Sequence, residues 1–127
     1  MTVKFLSQEW AETLKTTLNA DDAFKQAAAG VSAAIQQVIG GADGDTRYWI
    51  RIADAAIDMG VGDTESPDAT ITESYETAVA LAKSELSPVT AFMTGKIKVA
   101  GNMGMLLGLQ GVLSLLPAAM AAMDVEY

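Results

Sequence analysis

The chain has no cysteine and no histidine among its 127 residues. Disulfides, thiol nucleophiles, histidine general bases and zinc sites built on thiolate or imidazole are therefore excluded. Basic residues are also scarce, since 8 Lys and Arg stand against 16 Asp and Glu and the formal net charge is −8. This balance disfavours nucleic acid as a partner, because phosphate binding needs clustered basic side chains. It also disfavours stable binding to anionic lipid headgroups.

Recognisable catalytic patterns are lacking as well. Without histidine, a serine or threonine nucleophile would need another base, and neither Ser-x-x-Lys nor Gly-x-Ser-x-Gly occurs. Asp54 and Asp58 fit solvated acids on a strand, and Asp43–Asp45 lacks the spacing and closing Glu of a calcium loop. Thr94–Lys96 lacks the upstream glycine of a phosphate loop. We therefore predict no enzymatic activity, no metal site and no cofactor.

The composition predicts one folded domain covering residues 1–127. Half of the residues are hydrophobic and only 19% are charged, which is typical of a chain with a packed core. The N-terminal sequence MTVKFLSQEW lacks an apolar segment followed by a small-residue cleavage site. We therefore expect a cytoplasmic location.

One long uncharged run dominates the last third of the chain. No charged residue occurs between Lys98 and Asp124, and roughly 20 apolar residues are enough to cross a bilayer. However, Lys96–Val99 alternates like a half-exposed strand, and several glycines and Pro117 divide the remainder into short pieces. This pattern favours short helices folded onto the rest of a soluble domain over a membrane anchor.

The hydrophobic pattern before this run predicts a helix followed by a sheet. Ser7 is a suitable N-cap for a helix with Trp10, Leu14 and Leu18 on one face. Strands are then expected near 31–39, 46–52 and 55–61, joined by short turns, followed by a crossing loop at 62–68 and a short strand at 69–72. Helices capped by Thr72 or Ser74 and by Ser87 precede a fifth strand at 96–100. The order predicts an α+β fold, a mostly antiparallel five-stranded sheet with helices on one face.

The glycines of the C-terminal third permit two interpretations. Gly104, Gly108 and Gly111 would share one helical face, which favours either close packing of that helix on the sheet or an open cavity beside it. Each glycine costs roughly 1 kcal/mol relative to alanine in a helix, so three of them require a structural reason. Five of the seven methionines also lie in this third, and such flexible side chains are used both in ordinary cores and at adaptable apolar binding surfaces.

A resemblance to a known family narrows these alternatives. The stretches Pro67–Thr72, Ser87-Pro88 and Ala91–Asn102 (AFMTGKIKVAGN) resemble the sterol carrier protein lipid-transfer domain family. The similarity extends from about Gly30 to Leu113. It implies a five-stranded sheet with helices on one side and an apolar tunnel between them for fatty acyl chains or sterols. Where the family commonly has a basic residue after the Gly-Asn pair, this chain has Gly108.

On this basis we predict an intracellular carrier of an apolar ligand, a fatty acyl lipid or a sterol-like molecule. The ligand would lie in a tunnel between the sheet and the C-terminal helices, without stable membrane insertion, in a monomer or homodimer. We assign the residues that line this tunnel from periodicity, so the assignment depends on which face of each strand points inward. The predicted lining residues are Ile35, Ile50, Ile57, Met59, Phe92, Met93, Met103, Leu106, Leu107, Leu109 and Leu113. The alternative is an interaction or homodimerisation module that uses the apolar C-terminal helices.

Overall fold

The computed structural model describes residues 2–41, 44–83, 85–113 and 115–126. The helices are α1 (Gln8–Asn19), α2 (Asp22–Ala28), α3 (Tyr75–Ala82), α4 (Pro88–Met93), α5 (Met103–Gly108), α6 (Gln110–Leu113) and α7 (Leu115–Ala121). The strands are β1 (Val3–Lys4), β2 (Ala33–Gly41), β3 (Gly44–Ala53), β4 (Ala56–Val61), β5 (Ala69–Ser74), β6 (Ile97–Gly101) and β7 (Val125–Glu126).

Helix α1 forms as its sequence predicts. The Ser7 hydroxyl accepts a hydrogen bond from the backbone N–H of Trp10 at 3.1 Å, which satisfies one of the free donors at the helix start. The side chains of Trp10, Leu14 and Leu18 are spaced by four residues, and all three are buried on the side that faces the sheet. This helix supplies a large share of the main hydrophobic core.

The main sheet has five strands in the order β4-β3-β2-β5-β6. Strands β2 and β5 are parallel, whereas the other three pairings are antiparallel. A tight turn joins β3 to β4, with Asp54 and Ala55 both at positive φ (53° and 60°), as in the turns that suit two-residue hairpins. The predicted α+β class with a mostly antiparallel five-stranded sheet is therefore confirmed.

The two faces of the sheet differ in chemistry. Residues that pair across neighbouring strands project to the same face, so the pairing shows which side chains share it. On the inner face, which the helices cover, Ile35 pairs with Ile50 on one neighbouring strand and with Ala69 on the other. On the outer face, Arg47, Trp49 and Arg51 alternate with these apolar positions along β3. The strand phase expected from the sequence is confirmed for β3.

A loop at residues 62–68 crosses the outer face and connects β4 to β5. The side chain of Gln36, on β2, holds this loop: its amide nitrogen donates to the carbonyls of Tyr48 and Gly62, each at 3.1 Å. Its amide oxygen accepts from the backbone N–H of Thr64 at 2.8 Å. The Arg51 guanidinium adds bonds to the Thr64 hydroxyl and to a neighbouring backbone carbonyl. The buried side-chain amide of Gln36 therefore forms hydrogen bonds through both its nitrogen and its oxygen, and these bonds hold the crossing loop to β2.

The C-terminal third folds into short helices, as its glycine spacing predicts. Helices α5, α6 and α7 have six, four and seven residues, and the Asn102 side chain caps α5 by accepting from the N–H of Met105 at 3.0 Å. The last helix begins at Leu115, two residues before Pro117. Helix α7 packs against α1 and α3, and α6 packs against α2. Within the described residues, every helix falls short of the length and apolar character needed to cross a bilayer.

Two features differ from the sequence expectation. Strands β1 and β7 form a two-residue parallel pair, which is too short to be visible as a hydrophobic pattern. Helix α4 was expected to turn Phe92 and Met93 inward, but these side chains are 44% and 79% exposed, whereas Ala91 is buried. The reason is rotational: successive residues of a helix point about 100° apart, so a single turn that packs through Ala91 directs the next two outward.

The two adjacent glutamines of β2 predict opposite responses to the same substitution. Gln36→Leu should lower the free energy of unfolding by about 1–3 kcal/mol, because it leaves polar groups of the crossing loop without partners. Gln37→Leu, on the inner face, should leave stability unchanged or raise it, because the Gln37 amide oxygen is buried without a partner. Urea denaturation of the two variants measures the difference, and equal losses would contradict this assignment.

Candidate functional site

An open groove of about 930 Å³ lies at one end of the sheet. Its size falls within the range of pockets that hold small molecules. The groove is bounded by the N-terminal segment, by the base of the β2–β3 hairpin and by the start of α3, and its lining residues are Lys4, Phe5, Leu6, Ser7, Gly40, Gly41, Gly44, Thr46, Ser74, Tyr75 and Glu76. None of the eight predicted residues whose side chains the structure describes lines it.

The predicted sheet residues lie on the inner face, distributed over two apolar clusters. Ile50, Ile57 and Met59 belong to the main cluster under α1. Ile35 belongs to a smaller cluster with Ala33, Ala69 and Leu109, and this cluster is flanked by half-buried side chains of β5, β6 and α5. Leu109 is the predicted helical residue that contacts this part of the sheet. The assignment of these residues to a ligand remains a prediction.

The other predicted residues are more scattered. Met103 is half-buried, whereas Phe92 and Met93 lie on the exposed side of α4, away from the inner face. The side chains of Leu106, Leu107 and Leu113 lie outside the described part of the structure. The structure therefore brings the sheet residues and Leu109 onto one side of the sheet without showing a tunnel lined by the whole predicted set.

The glycines of the C-terminal helices are not explained by close packing. Among the described residues, a Cβ added to Gly108 or Gly111 would meet no atom within 4 Å, and one added to Gly104 would meet only the side-chain oxygen of Asn102 at 3.6 Å. All three residues are exposed. The described residues therefore contradict the packing interpretation, because no neighbouring atom among them is too close for a Cβ at these positions. These glycines lower the stability of their helices, by up to roughly 1 kcal/mol each relative to alanine.

A group of polar side chains interrupts the inner face between the two apolar clusters. Gln37 lies on β2 between Ile35 and Ile39, and it pairs across the sheet with Tyr48 on one side and with Ile71 on the other. The Tyr48 ring meets the Trp10 ring edge-on, with centroids 5.2 Å apart. Within the described residues, the Gln37 Oε1 and Trp10 Nε1 atoms are the buried side-chain polar atoms without a hydrogen-bond partner.

Glu73 occupies the next row of the same face. Burial raises the pKa of the Glu73 carboxyl from an ordinary value of 4.5 to about 7. Burial, and secondarily the nearby charge of Glu73, raise the pKa of the Tyr48 hydroxyl above its ordinary value of 10. Tyr48 therefore remains a neutral phenol, and this part of the interior stabilises charge poorly.

Aromatic rings connect this polar group to the groove. Phe5 packs edge-on against Trp10 with centroids 5.2 Å apart, and its other side meets Tyr75 at 5.9 Å. Phe5 and Tyr75 both line the groove, and Trp10 contacts Tyr48 further in. The rings of Phe5 and Trp10 thus lie between the groove and the buried polar side chains.

The sequence as a whole matches one family model. The model of the SCP-2 sterol transfer family matches residues 7–114, which is most of the chain. The chain belongs to this family. The resemblance of residues 67–102 to sterol carrier proteins is therefore confirmed, and so is the sheet-and-helix fold that it implied.

Solved structures and a curated relative agree with the family assignment. A crystal structure of sterol carrier protein 2 aligns with a TM-score of 0.78 at 17% identity, covering 91% of this chain and 96% of the other. The palmitated form of SCP2L2 from Aedes aegypti aligns with a TM-score of 0.64 at 25% identity, covering 80% and 88%. Sterol carrier protein 2 of Gallus gallus is 39% identical over 54 residues, which is 42% of this chain and 10% of the chicken protein. The chain thus matches about a tenth of that curated relative.

The residues that carry the resemblance have structural roles. Gly95 follows α4 at φ 77°, and Gly101 ends β6 at φ 105°, so both adopt a conformation that favours glycine. A Cβ on Gly101 would also lie 2.5 Å from the carbonyl oxygen of Asp68. Asn102 then caps α5. These residues direct the chain from the edge strand back over the inner face.

Sequence reasoning missed the buried polar group. The available signal was the appearance of polar residues in the apolar phase of two strands: Gln37 stands between Ile35 and Ile39, and Glu73 stands two residues after Ile71. A polar residue at such a position is expected to project inward. Trp10 gave no comparable signal, because a tryptophan on the buried face of a helix fits an ordinary core.

The raised pKa of Glu73 predicts a pH-dependent stability. Below about pH 4.5 the carboxyl is protonated in both states, whereas between about pH 4.5 and 7 the unfolded state loses the proton first. The free energy of unfolding should therefore fall across this window, by roughly 3 kcal/mol at most, and then level off. Glu73→Gln should remove this fall and be more stable than the parent at about pH 8.

Denaturation of the parent and Glu73→Gln across this pH range, with the exposed Glu76→Gln as a charge-matched control, measures the effect. If the difference in the free energy of unfolding between Glu73→Gln and the parent stays constant with pH, the assignment of Glu73 as a poorly solvated carboxyl is contradicted.

Proposed function

We propose that this chain binds and carries an apolar lipid, held between the inner face of the sheet and the short C-terminal helices. The observation that carries the proposal is the match of residues 7–114 to a sterol transfer family, on a fold whose sheet places most of its apolar side chains on one face. The palmitated state of the Aedes aegypti relative supports an acyl chain as one kind of ligand. We propose binding and release without chemical change of the ligand.

The energetics of such binding need no charged group. Each methylene moved from water into an apolar site gains about 0.8 kcal/mol, so about twelve of them gain roughly 10 kcal/mol before the costs of immobilisation and site opening. Of the two apolar clusters, the smaller one around Ile35, Ala69 and Leu109 is the better candidate for the binding site of the ligand's acyl chain. Its flanking side chains, Val31, Ile71, Val99 and Met105, are only half-buried and thus leave room for rearrangement.

The C-terminal helices are suited to admit and release a guest. They are short, and glycines that no close contact requires lower their stability. Their buried residues, including Val112, Leu116 and Met120, join the main cluster, so the closed form is also well packed. We propose that local loosening of this segment opens the site, as lids do in other binding proteins.

The alternative, an interaction module that uses the C-terminal helices, has less support. The apolar side chains Val112, Leu116 and Met120 are buried within the molecule and are not presented to a partner. Whether the protein is a monomer or a homodimer remains a prediction, as does its cytoplasmic location.

Native mass spectrometry of freshly purified protein, followed by organic extraction, tests the carrier function. We expect a protomer mass increased by that of an apolar compound, and sedimentation of the same sample should show a particle of defined size. Protein that carries no lipid and takes up no added long-chain alcohol, acid or hydrocarbon would overturn the proposal. An obligate dimer with these properties would favour the interaction module.

Gly108→Ala tests the opening of the helical segment. Because a Cβ at this position meets no atom within 4 Å among the described residues, the substitution should raise helix stability, by at most roughly 1 kcal/mol, without a clash. If release requires this helix to loosen, ligand release should slow by up to roughly fivefold. Ala118→Gly, at an exposed position of α7, is the reciprocal control and should speed release. Stopped-flow transfer of a fluorescent fatty alcohol measures both rates, and equal rates in all three proteins would contradict the mechanism.

A further inference from the structure

The buried polar atoms beside Tyr48 require an explanation. Leaving a buried donor or acceptor without a partner costs about 1–3 kcal/mol, and Gln37 and Trp10 each carry such an atom. Gln37 is 8% exposed and Trp10 is 1% exposed, so bulk water does not satisfy them. Leucine and phenylalanine would fill the same positions without this cost, so a bound partner for the two atoms is the natural reason for their presence.

The two atoms are complementary in kind. The indole Nε1–H of Trp10 is a donor only, and the Oε1 atom of Gln37 is an acceptor. A hydroxyl group can accept from the first and donate to the second, whereas an ionised carboxylate can only accept. Both side chains flank Tyr48, one through ring contact and the other through strand pairing.

The charges of the interior point the same way. Across the described rows of the sheet, no lysine or arginine occupies an inner-face position, and Arg47, Arg51 and Lys98 all lie on the outer face. The remaining basic side chains are exposed, apart from half-buried Lys15, which pairs with Asp58 at 3.1 Å. Glu73 contributes a carboxyl near Tyr48. An ionised headgroup would therefore lose its hydration without gaining a cation.

We propose that Trp10 and Gln37 form the headgroup site for a neutral, hydroxyl-bearing lipid, with Trp10 Nε1–H donating to the ligand hydroxyl and Gln37 Oε1 accepting from it. This inference rests on the proposed carrier function and deepens it by naming the ligand class. The site selects long-chain or sterol-like alcohols over ionised fatty acids. If the Gln37 amide turns over, it offers a donor in place of the acceptor, but the site still contains no cation.

The groove beside Phe5 and Tyr75 lies close to this headgroup site. It lies one aromatic layer away from Trp10, and Thr46, in its wall, is two residues from Tyr48 on the same strand.

Equilibrium dialysis with radiolabelled 1-dodecanol, dodecanoate and dodecane at about pH 8, where the acid is ionised, tests the selectivity. The parent protein, freed of copurified lipid, should bind dodecanol at least about tenfold more tightly than dodecanoate. Gln37→Leu and Trp10→Phe should each weaken dodecanol binding by about fivefold to tenfold, the value of one hydrogen bond, and leave dodecane binding unchanged. Trp49→Phe, which alters the tryptophan of the outer face, is the control and should leave all three affinities unchanged.

The outcomes separate the headgroup site from the carrier function. If all three probes bind but the parent shows no preference for the alcohol, or if the two variants keep the parent's affinity for it, the headgroup site is overturned and the carrier function stands. If none of the probes binds, both proposals fail. Dodecane binding in Gln37→Leu and Trp10→Phe shows that these variants are folded, so a loss confined to dodecanol supports the assignment.

Discussion

The architecture depends on the pairing of β2 along both of its edges. This strand pairs antiparallel with β3 and parallel with β5, and its residues 33–39 are all buried. The parallel pairing obliges the chain to leave β4 at one edge and cross the sheet before it can form β5. The crossing loop takes the outer face, so the helices are left with the inner one. The separation of a polar outer side from an apolar inner side follows from this single connection.

Adjacent residues of β2 then meet opposite environments. Gln36 projects outward, and its amide is bonded to the loop that covers it. Gln37 projects inward among apolar side chains, where its amide oxygen has no partner. The same side chain is therefore a structural anchor in one position and a candidate ligand contact in the next. Membership of a sterol transfer family is compatible with the second role, because in the carrier function that we propose an unpaired polar atom would meet the headgroup of the ligand.

Much of the fold could be predicted because its local signals agree. Alternation along β3, the Ser7 cap of α1 and the glycine spacing of the last third each predicted the element that forms. The outward direction of Phe92 could not be predicted, since a helix of one turn has too few residues to define an apolar face. The groove depends on how the N-terminal segment meets the β2–β3 hairpin, a long-range contact with no periodic signature. Sequence patterns report which residues are buried better than they report what those residues enclose.

The short β1–β7 pair has a mechanical consequence for the C-terminal helices. Backbone hydrogen bonds join Val3 to Asp124 at 2.8 Å and Phe5 to Glu126 at 2.9 Å, while at the other end Asn102 is bonded to Asp68 at 2.9 Å. The segment between these hydrogen bonds is therefore held at both of its ends. In the carrier mechanism that we propose, the middle of this segment moves away from the sheet while its ends stay bonded, so the lipid has to be narrow or has to enter end-first.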